Sequence, residues 1–335
     1  MMEEIMKKGK VKLAVALYSF MHELRSHAMS FEECIAKIAE LGASGVEILN
    51  AAHIPNWPNP SMQELRRLRK TVERYGLEFS CCTTYVDDAI RTNGRLTKDE
   101  MLRQIKRDLR HAHELGIPVM RLAATTLLDV ALLAMEQAEK YNIKLGVEVH
   151  APYTVDYMME GGLNVARLKI ISSPYFGVIP DMGGWAYTIP PRLTTTLVAA
   201  GFPKDLMDRL VSFLETTPCR KWMSAVEKVG IPEELRPLAD LCLHIASIQD
   251  ADSLASVTPF TVNIHGKFYD IDKNGEEPSI AYGDMLRVIR ESGYDGYICS
   301  EYEGWAMDSK PNGIEMVRKH QSMMRRHLGY EPLSN

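Results

Sequence analysis

The chain has 335 residues, of which 46% are hydrophobic and 25% are charged, and its formal net charge at pH 7 is −5. This ordinary globular composition excludes disordered, fibrous and collagen-like chains. The mildly acidic balance gives no electrostatic reason to bind nucleic acid or a membrane surface, and no apolar run approaches the ~20 residues of a membrane span.

The first apolar run covers residues 11–18 and follows a charged start at residues 1–10. That order imitates a short signal peptide, but the chain continues with His22, Glu23 and Arg25 and has no small-residue cleavage site there. We therefore interpret residues 11–18 as a buried strand. The six cysteines form no C-x-x-C pair and mostly lie in apolar runs, which indicates the buried, reduced thiols of a cytoplasmic protein.

One pattern then repeats along the chain, in which a charged amphipathic stretch ends near Gly, Asn or Pro and a short apolar run follows at once. The breakpoints lie 26 to 40 residues apart and are Gly42, Gly76, Gly116, Asn142 and Pro174. This spacing is that of a βα unit. Short runs that are apolar on both faces are typical of parallel strands covered by helices.

The clearest helical stretches between these runs are residues 31–41, 61–75, 97–115 and 127–141. Ser30 and Ser61 stand in front of the first two, with Glu33 and Glu64 three residues later, which predicts a capping box at each start. The helices therefore alternate with the apolar runs.

With residues 11–18 as strand one and residues 260–264 as strand seven, the chain holds eight strands. Eight βα units predict a (β/α)8 TIM barrel. A doubly wound open sheet is the alternative, but it usually begins with a Gly-rich phosphate turn, and none follows the first strand.

A bare barrel takes about 250 residues, so this chain has a surplus. Most of it is residues 182–259, between strands six and seven, with helix-like pieces at residues 204–215 and 233–248. We predict one TIM-barrel domain over residues 1–335 with this helical insertion inside it. The insertion leaves its strand on the side of the barrel where active sites lie, which favours a lid or an interface, with a purely structural extension as the alternative.

Charged residues finish several of the apolar strands, and the strand ends of a barrel face its catalytic mouth. Strands two, five, six, seven and eight end with Glu47, Glu148, Asp181, His265 and Glu301. A charge in that position is costly unless it is paired or bound. The last four together offer three oxygen donors and one nitrogen, which suits Mn²⁺, Mg²⁺ or Co²⁺, although a salt bridge explains any one of them equally well.

The strand ends YSF, GVE, VEVH, PDMGG, NIHGK and SEYEG resemble those of the xylose isomerase-like TIM barrels, often called sugar phosphate isomerases/epimerases. The likeness covers residues 12–328 apart from most of the insertion. It implies that Glu148, Asp181, His265 and Glu301 are metal ligands. It leaves the substrate open, because members include ketose epimerases, inosose isomerases and dehydratases, and abasic-site endonucleases.

Two positions indicate which members of this family the chain resembles most. Ketose epimerases usually carry a His three residues after the second ligand, where this chain has Gly184, and here His150 follows Glu148 by two residues instead. A His there, the chain length and the insertion are similar to the catalytic subunit of bacterial C-glycoside deglycosylases. That likeness implies a 3-oxo-glucoside substrate, Mn²⁺ as the preferred cofactor, a small β subunit as partner, and a homo- or hetero-oligomer.

The chemistry shared by these relatives is proton abstraction next to a sugar carbonyl. The resemblance implies His150 as the base, because imidazole titrates close to working pH; a hydrogen bond to Glu148 or to a metal ligand is the alternative for this side chain. It further implies sugar contacts from Tyr18, His53, Lys267, Glu303 and Trp305.

The preferred interpretation is a lyase that cleaves the carbon–carbon bond of a 3-oxo-C-glucoside by β-elimination. A sugar or inosose isomerase, epimerase or dehydratase is the main alternative. An abasic-site endonuclease would want more histidine ligands and a basic face, and a non-catalytic partner subunit would not need the four ligands.

Overall fold

A computed structural model of the chain describes residues 10–86, 94–123, 125–158 and 162–333. The charged start predicted at residues 1–10 lies outside these ranges except for Lys10. The eight strands are β1 Lys12–Ala16, β2 Gly45–Leu49, β3 Glu78–Thr84, β4 Val119–Leu122, β5 Lys144–Val149, β6 Phe176–Pro180, β7 Ile264–Phe268 and β8 Tyr297–Tyr302.

All eight strands belong to one parallel sheet in the order β6-β5-β4-β3-β2-β1-β8-β7. The two outer strands approach each other through parallel bridges between Val178 and Thr261 and between Asp181 and His265. The sheet therefore closes almost completely into a barrel, and the predicted (β/α)8 fold is confirmed. All strands run the same way, so their carboxyl ends meet at one mouth.

The α-helices of the described residues surround the barrel or lie between β6 and β7. They are α1 Met21–Arg25, α2 Phe31–Glu40, α3 Asn50–His53, α4 Met62–Arg74, α5 Lys98–Leu115, α6 Leu128–Leu133, α7 Met135–Tyr141, α8 Val165–Ile171, α9 Pro191–Ala199, α10 Lys204–Thr216, α11 Ala225–Val229, α12 Arg236–Ile245, α13 Tyr282–Glu291 and α14 Gly313–Leu328. None of them is long and apolar enough to cross a membrane.

Both predicted capping boxes are present, at the starts of α2 and α4. Ser30 N–H donates to Glu33 Oε2 at 2.7 Å while the Ser30 hydroxyl accepts from the Glu33 backbone. A third box, Thr97 with Glu100, begins α5 and was not predicted. The stretch at residues 127–141, predicted as one helix, is divided at Ala134 into α6 and α7.

Two strand predictions were wrong in their bounds. Strand one ends at Ala16, because residues 17–20 turn into a short 3₁₀ helix that carries Tyr18 over the mouth. Strand seven is Ile264–Phe268 and not residues 260–264, whose start belongs to the 3₁₀ turn Thr258–Phe260. The hydropathy pattern favoured residues 260–264, which are more apolar than the strand that forms. Polar residues can nevertheless occupy a strand at the mouth of a barrel, because side chains from neighbouring strands pair with them.

Helices α9 to α12 fall within residues 182–259 and pack around an apolar cluster of their own. Trp222 is buried in it and donates its indole N–H to Thr217 O at 2.8 Å. Ala186 forms one bridge within this segment, to Ile248, and one to Ile280, which follows β7. The function of the segment as a lid or an interface stays a prediction.

The six cysteines are free and buried, as their apolar surroundings predicted. His320 on α14 is also fully buried; its ring stacks on Phe268 at 4.0 Å and its Nδ1 lies 2.8 Å from Ser300 Oγ. Burial lowers the pKa of His320 to about 3, so the folded protein holds this ring neutral.

We expect the buried His320 to make the fold sensitive to acid. The unfolded chain takes up a proton near pH 6.5 while the folded chain does not, so the free energy of unfolding falls as pH drops below 6.5. This group alone should remove about 2 kcal/mol between pH 7 and pH 5. Urea unfolding should therefore be less pH-dependent in His320→Gln than in the parent protein.

The matched control for this experiment is His244→Gln, because His244 is exposed on α12 and should leave the parent's pH dependence unchanged. Equal pH dependence of the parent and His320→Gln would contradict the prediction.

Candidate active site

The four predicted ligands come together inside the mouth of the barrel. Glu148 lies on β5, Asp181 directly follows β6, His265 lies on β7 and Glu301 lies on β8. Each offers one donor atom, and these atoms lie within 4.8 Å of one another. Parallel strands bring their carboxyl ends to one place, so residues more than 150 positions apart in the chain become neighbours.

His265 is the centre of this cluster. Its Nδ1 lies 2.6 Å from Glu148 Oε1 and 3.3 Å from Glu301 Oε2, while its Nε2 lies 3.0 Å from Glu47 Oε1. Burial would lower the pKa of this imidazole, but Glu47 and Glu301 outweigh burial and raise it. His265 therefore links three carboxylates, and a metal ion bound there would replace its proton.

Glu47 belongs to the site, although the sequence analysis named it only as a strand end. Its carboxylate accepts hydrogen bonds from Thr83 Oγ1 at 3.2 Å and Asn263 Nδ2 at 3.1 Å. Burial alone would raise the pKa of Glu47, but His265 lowers it below its usual value. The sequence did contain a signal for Glu47. This glutamate lies at the end of the apolar strand GVEI, just as the four predicted ligands lie at the ends of their strands.

Lys267 brings a permanent positive charge into the cluster. Its Nζ lies 2.7 Å from Asp181 Oδ2, 2.9 Å from Glu303 Oε2 and 3.7 Å from Glu301 Oε2. Burial would lower the pKa of this amine, but Asp181 and the two glutamates raise it well above its usual value. Lys267 was predicted as a sugar contact. In the structure its ammonium group offsets the mutual repulsion of these three carboxylates.

Arg121 supplies the second permanent positive charge and was missed by the sequence analysis. It lies on β4, forms an ion pair with Glu148 Oε2, and donates from Nη1 to Tyr85 OH at 3.0 Å. Its guanidinium is also 5.2 Å from the centre of the Tyr85 ring. The available signal was an arginine inside the four-residue apolar strand VMRL.

The donor set fits a divalent cation. Five acidic side chains of the described residues meet two permanent cations, and they are Glu47, Glu148, Asp181, Glu301 and Glu303. The buried atoms Asp181 Oδ2 and Glu301 Oε2 accept no hydrogen bond of good geometry from the described residues, although Lys267 is near both. Opposite ligands of an octahedral ion lie about 4.2 Å apart, close to the spread of the four donor atoms.

His150 reaches the same cluster from directly behind β5. Its Nδ1 donates to Ala151 O at 2.6 Å, and its Nε2 lies 3.7 Å from Asp181 Oδ2. Burial and the Lys267 charge lower the pKa of His150, so Nε2 carries a free electron pair at neutral pH. β5 ends at Val149, so the turn that follows the strand positions this imidazole.

Tyr18, Glu303 and Trp305 lie together beside Lys267. Tyr18 OH donates to Glu303 Oε1 at 3.2 Å, and the Trp305 ring meets the Tyr18 ring edge-on at 5.5 Å. Burial and Glu303 raise the pKa of Tyr18 well above its usual value, so its hydroxyl stays a hydrogen-bond donor. Of the five predicted sugar contacts, these three residues and Lys267 therefore lie next to the carboxylate cluster.

His53, the remaining predicted sugar contact, lies elsewhere in the mouth. Its Nδ1 accepts the Leu49 N–H at 2.9 Å, and the ring forms part of the wall of a separate cavity. Burial lowers the pKa of His53 to about 4, which keeps the ring neutral. No hydrogen bond from a described residue reaches its Nε2.

A family model described as xylose isomerase-like TIM barrel matches residues 35–327 of the chain. The 3'-dehydrocarminate deglycosidase alpha subunit of a Microbacterium species is 31% identical, covering 95% of this chain and 95% of that protein. A C-glycoside deglycosidase alpha subunit of Arthrobacter globiformis is 30% identical, covering 98% and 95%.

Among solved structures, D-psicose 3-epimerase with D-tagatose from Clostridium cellulolyticum H10 superposes with a TM-score of 0.59 at 11% identity, covering 97% of this chain and 100% of that chain. At such low identity the superposition supports the barrel fold alone.

We expect the cluster to bind one divalent ion per chain. A ligand at a hundredfold excess over its Kd stabilises the folded state by about 2.7 kcal/mol, so adding Mn²⁺ to metal-stripped protein should raise the Tm. Asp181→Asn should lose that rise and the bound metal, measured by elemental analysis. Asp205→Asn is the matched control, because Asp205 is exposed on α10. Retention of the metal by Asp181→Asn would disprove this site.

Proposed function

This chain belongs to the xylose isomerase-like TIM barrel family, and we propose that it is the catalytic subunit of a divalent-metal-dependent C-glycoside deglycosidase. The observation that carries the proposal is the position of His150, whose Nε2 lies 3.7 Å from Asp181 Oδ2 in the donor cluster. Two relatives of nearly the same length, both described as deglycosidase alpha subunits, support it.

Glu148, Asp181, His265 and Glu301 would hold the ion. Their oxygen-rich set favours Mn²⁺ or Mg²⁺ over a thiolate-preferring metal. When bound, such an ion supplies Lewis acidity toward a keto oxygen, a contribution of several kcal/mol.

His150 performs the proton transfers in this proposal. Its Nε2 takes the proton from C2 of a 3-oxo-glucoside, and the electron pair of that C–H bond forms an enolate with the C3 carbonyl. When the carbonyl re-forms, a C1=C2 double bond forms and the bond from C1 to the aglycone carbon breaks. The His150 imidazolium returns its proton to that carbon. The products are the protonated aglycone and an unsaturated 3-oxo sugar, with no net gain or loss of protons.

Lys267 and Tyr18 prepare the site for this reaction. The Lys267 ammonium disfavours a second positive charge nearby, which keeps His150 unprotonated before the reaction. Tyr18 OH donates to Glu303 at 3.2 Å, so its oxygen can accept a hydrogen bond from a sugar hydroxyl. Trp305 packs against Tyr18 and supplies an apolar surface on which a sugar ring can lie.

An isomerase or epimerase would begin with the same proton transfer and end with reprotonation of the sugar. An epimerase also needs an acid on the opposite face of the substrate. Gly184, at the position where ketose epimerases usually have a histidine, offers no side chain. Cleavage of a C-glycoside is therefore the function that this site supports best. Ketoses serve as control substrates, because an isomerase or epimerase would convert them.

His150→Gln is the test of the base. The variant should fold and bind metal but lose cleavage of a 3-oxo-C-glucoside by about 10²–10⁴-fold, the usual size of general acid–base catalysis. Exchange of the C2 proton with solvent deuterium, followed by NMR, should fall to the same extent.

His113→Gln controls for loss of a histidine, because His113 is exposed on α5. Proton exchange at the parent rate in His150→Gln would exclude His150 as the base. Turnover of ketoses without cleavage of the glycoside by the parent protein would favour the isomerase.

We further propose that residues 182–259 bind a second subunit. The two relatives described as alpha subunits imply a multi-subunit enzyme for those proteins. In this chain, Tyr187 and Leu241 expose 55% and 49% of their surface. A groove of about 540 Å³ also runs between α9 and α10, with Ile189, Val198 and Met207 in its wall.

If this surface is the interface, Leu241→Glu should weaken assembly by placing a charge in it. Light scattering after co-expression with the neighbouring genes should show a complex with the parent chain and a smaller species with the variant. Leu133→Glu is the matched control, because Leu133 is 56% exposed on α6, outside the segment. Equal masses for both variants and the parent would remove support for this interface.

A further inference from the structure

His150 and Asp181 leave the barrel in two different loops, the first after β5 and the second after β6. The two strands run side by side in the sheet, and at their ends the Asp181 N–H donates to Val149 O at 3.3 Å. Beyond that point the spacing of the loops depends on contacts outside the sheet. The distance of 3.7 Å between His150 Nε2 and Asp181 Oδ2 depends on the same contacts.

Ser247 connects both loops from within the helical insertion. It lies in the short segment directly after α12 and is fully buried. Its backbone N–H donates to Gly183 O at 3.0 Å, and its backbone carbonyl accepts from the Ala186 N–H at 3.0 Å, which ties it to the loop after β6. Its hydroxyl donates to Tyr153 O at 3.2 Å, in the loop after β5. One residue of the insertion therefore holds backbone groups of both loops.

Gln249, two residues further on, repeats this connection with its side chain. Its Oε1 accepts from the Val155 N–H at 3.1 Å, and its Nε2 donates to Gly184 O. A carboxamide has an acceptor at one end and a donor at the other, so it satisfies a backbone N–H and a backbone C=O at the same time. The loops approach closely here, because a Cβ at position 184 would lie 3.4 Å from Val149 O and 3.8 Å from Gln249 Nε2.

The backbone groups held in this way lie next to the functional side chains. The Tyr153 N–H donates to His150 O at 2.8 Å and closes the turn that carries the imidazole. The Gly184 N–H donates to Asp181 O at 2.8 Å, and the Gly183 N–H donates to Asp181 Oδ1 at 2.8 Å. With Oδ1 held by the backbone, Asp181 presents Oδ2 to His150 Nε2.

Gln249 is not a member of the donor cluster. Its side-chain hydrogen bonds within the described residues go to the backbone of Val155 and Gly184, and none of the four candidate ligands is among its partners. An effect of Gln249 on the reaction must therefore pass through the positions of His150 and Asp181. A displacement of about 1 Å at a reacting group costs about 10²-fold in rate, so a bond that fixes such a position has a measurable effect.

We propose that Gln249, supported by Ser247, is a positioning residue that sets the distance between the base His150 and the ligand Asp181. The inference rests on the proposed function, in which His150 takes the proton from C2, and it assigns the insertion a part in the active site. Residues 182–259 then act on catalysis from within the chain, whether or not they also bind a second subunit.

The first test removes the two hydrogen bonds and keeps the bulk of the side chain. Gln249→Met has nearly the same length but neither the donor nor the acceptor. On a 3-oxo-C-glucoside we expect kcat to fall about tenfold to a hundredfold and KM to stay within about twofold, because Gln249 lies outside the donor cluster. Exchange of the C2 proton should fall equally, and the bound metal measured by elemental analysis should equal that of the parent.

Gln137→Met is the matched control, because Gln137 is partly buried on α7, which precedes the amino end of β5. It should leave kcat unchanged. A Gln249→Met protein with the kcat of the parent would overturn the proposal, because packing alone would then account for the residue. Loss of the bound metal along with turnover would also overturn it, since Gln249 would then support the metal site as a whole.

A double mutant tests whether Gln249 acts through His150. In His150→Gln the base is absent, so adding Gln249→Met should change the remaining rate of C2 proton exchange by less than about twofold. The same fold loss in both backgrounds would show that Gln249 acts independently of His150 and would contradict the positioning role.

A crystal structure of Gln249→Met separates the inference from the function beneath it. We expect His150 Nε2 and Asp181 Oδ2 to lie at least about 1 Å further apart than the 3.7 Å of the parent. An unchanged distance would overturn the positioning role even if the parent cleaves the glycoside. If the parent neither exchanges nor cleaves, the proposed function fails, and a displaced His150 would still support positioning by Gln249.

Discussion

The concentration of buried carboxylates at the mouth of the barrel is the constraint on which the rest of this structure depends. Each carboxylate loses hydration on burial, and the loss is recovered only where a positive charge lies within a few ångströms. Lys267 and a protonated His265 on β7 and Arg121 on β4 supply those positive charges. The remaining negative charge is what would attract a divalent cation to the site.

The same constraint divides the mouth into two chemically different halves. The strands from β5 onward contribute most of the charge, and Glu47 on β2 and Arg121 on β4 contribute the rest. The segments after β1 to β3 contribute mainly aliphatic and aromatic side chains, with Arg25 and His53 among them. Arg121 on β4 marks the boundary, with Glu148 on one side of its guanidinium and Tyr85 on the other.

Electrostatics also distinguishes the two imidazoles of the site. His265 is enclosed by glutamates, which raise its pKa, whereas His150 is buried next to the Lys267 ammonium, which lowers its pKa. The two side chains have the same chemistry in water. Their neighbours favour the charged form of His265 and the neutral form of His150, which is the difference that the proposed roles of metal ligand and base require.

The sequence by itself determined the barrel, both predicted helix caps and the four candidate ligands, because these depend on local periodicity, on capping boxes and on charges at strand ends. It did not reveal Arg121 as the partner of Glu148, the turn that positions His150, or the separation of His53 from the other predicted sugar contacts. It also misplaced strand seven, because Lys267 makes that strand more polar than a buried strand should be. Only the tertiary structure decided these points, since a buried charge is stabilised by partners on other strands, and sequence distance does not record which strands are neighbours.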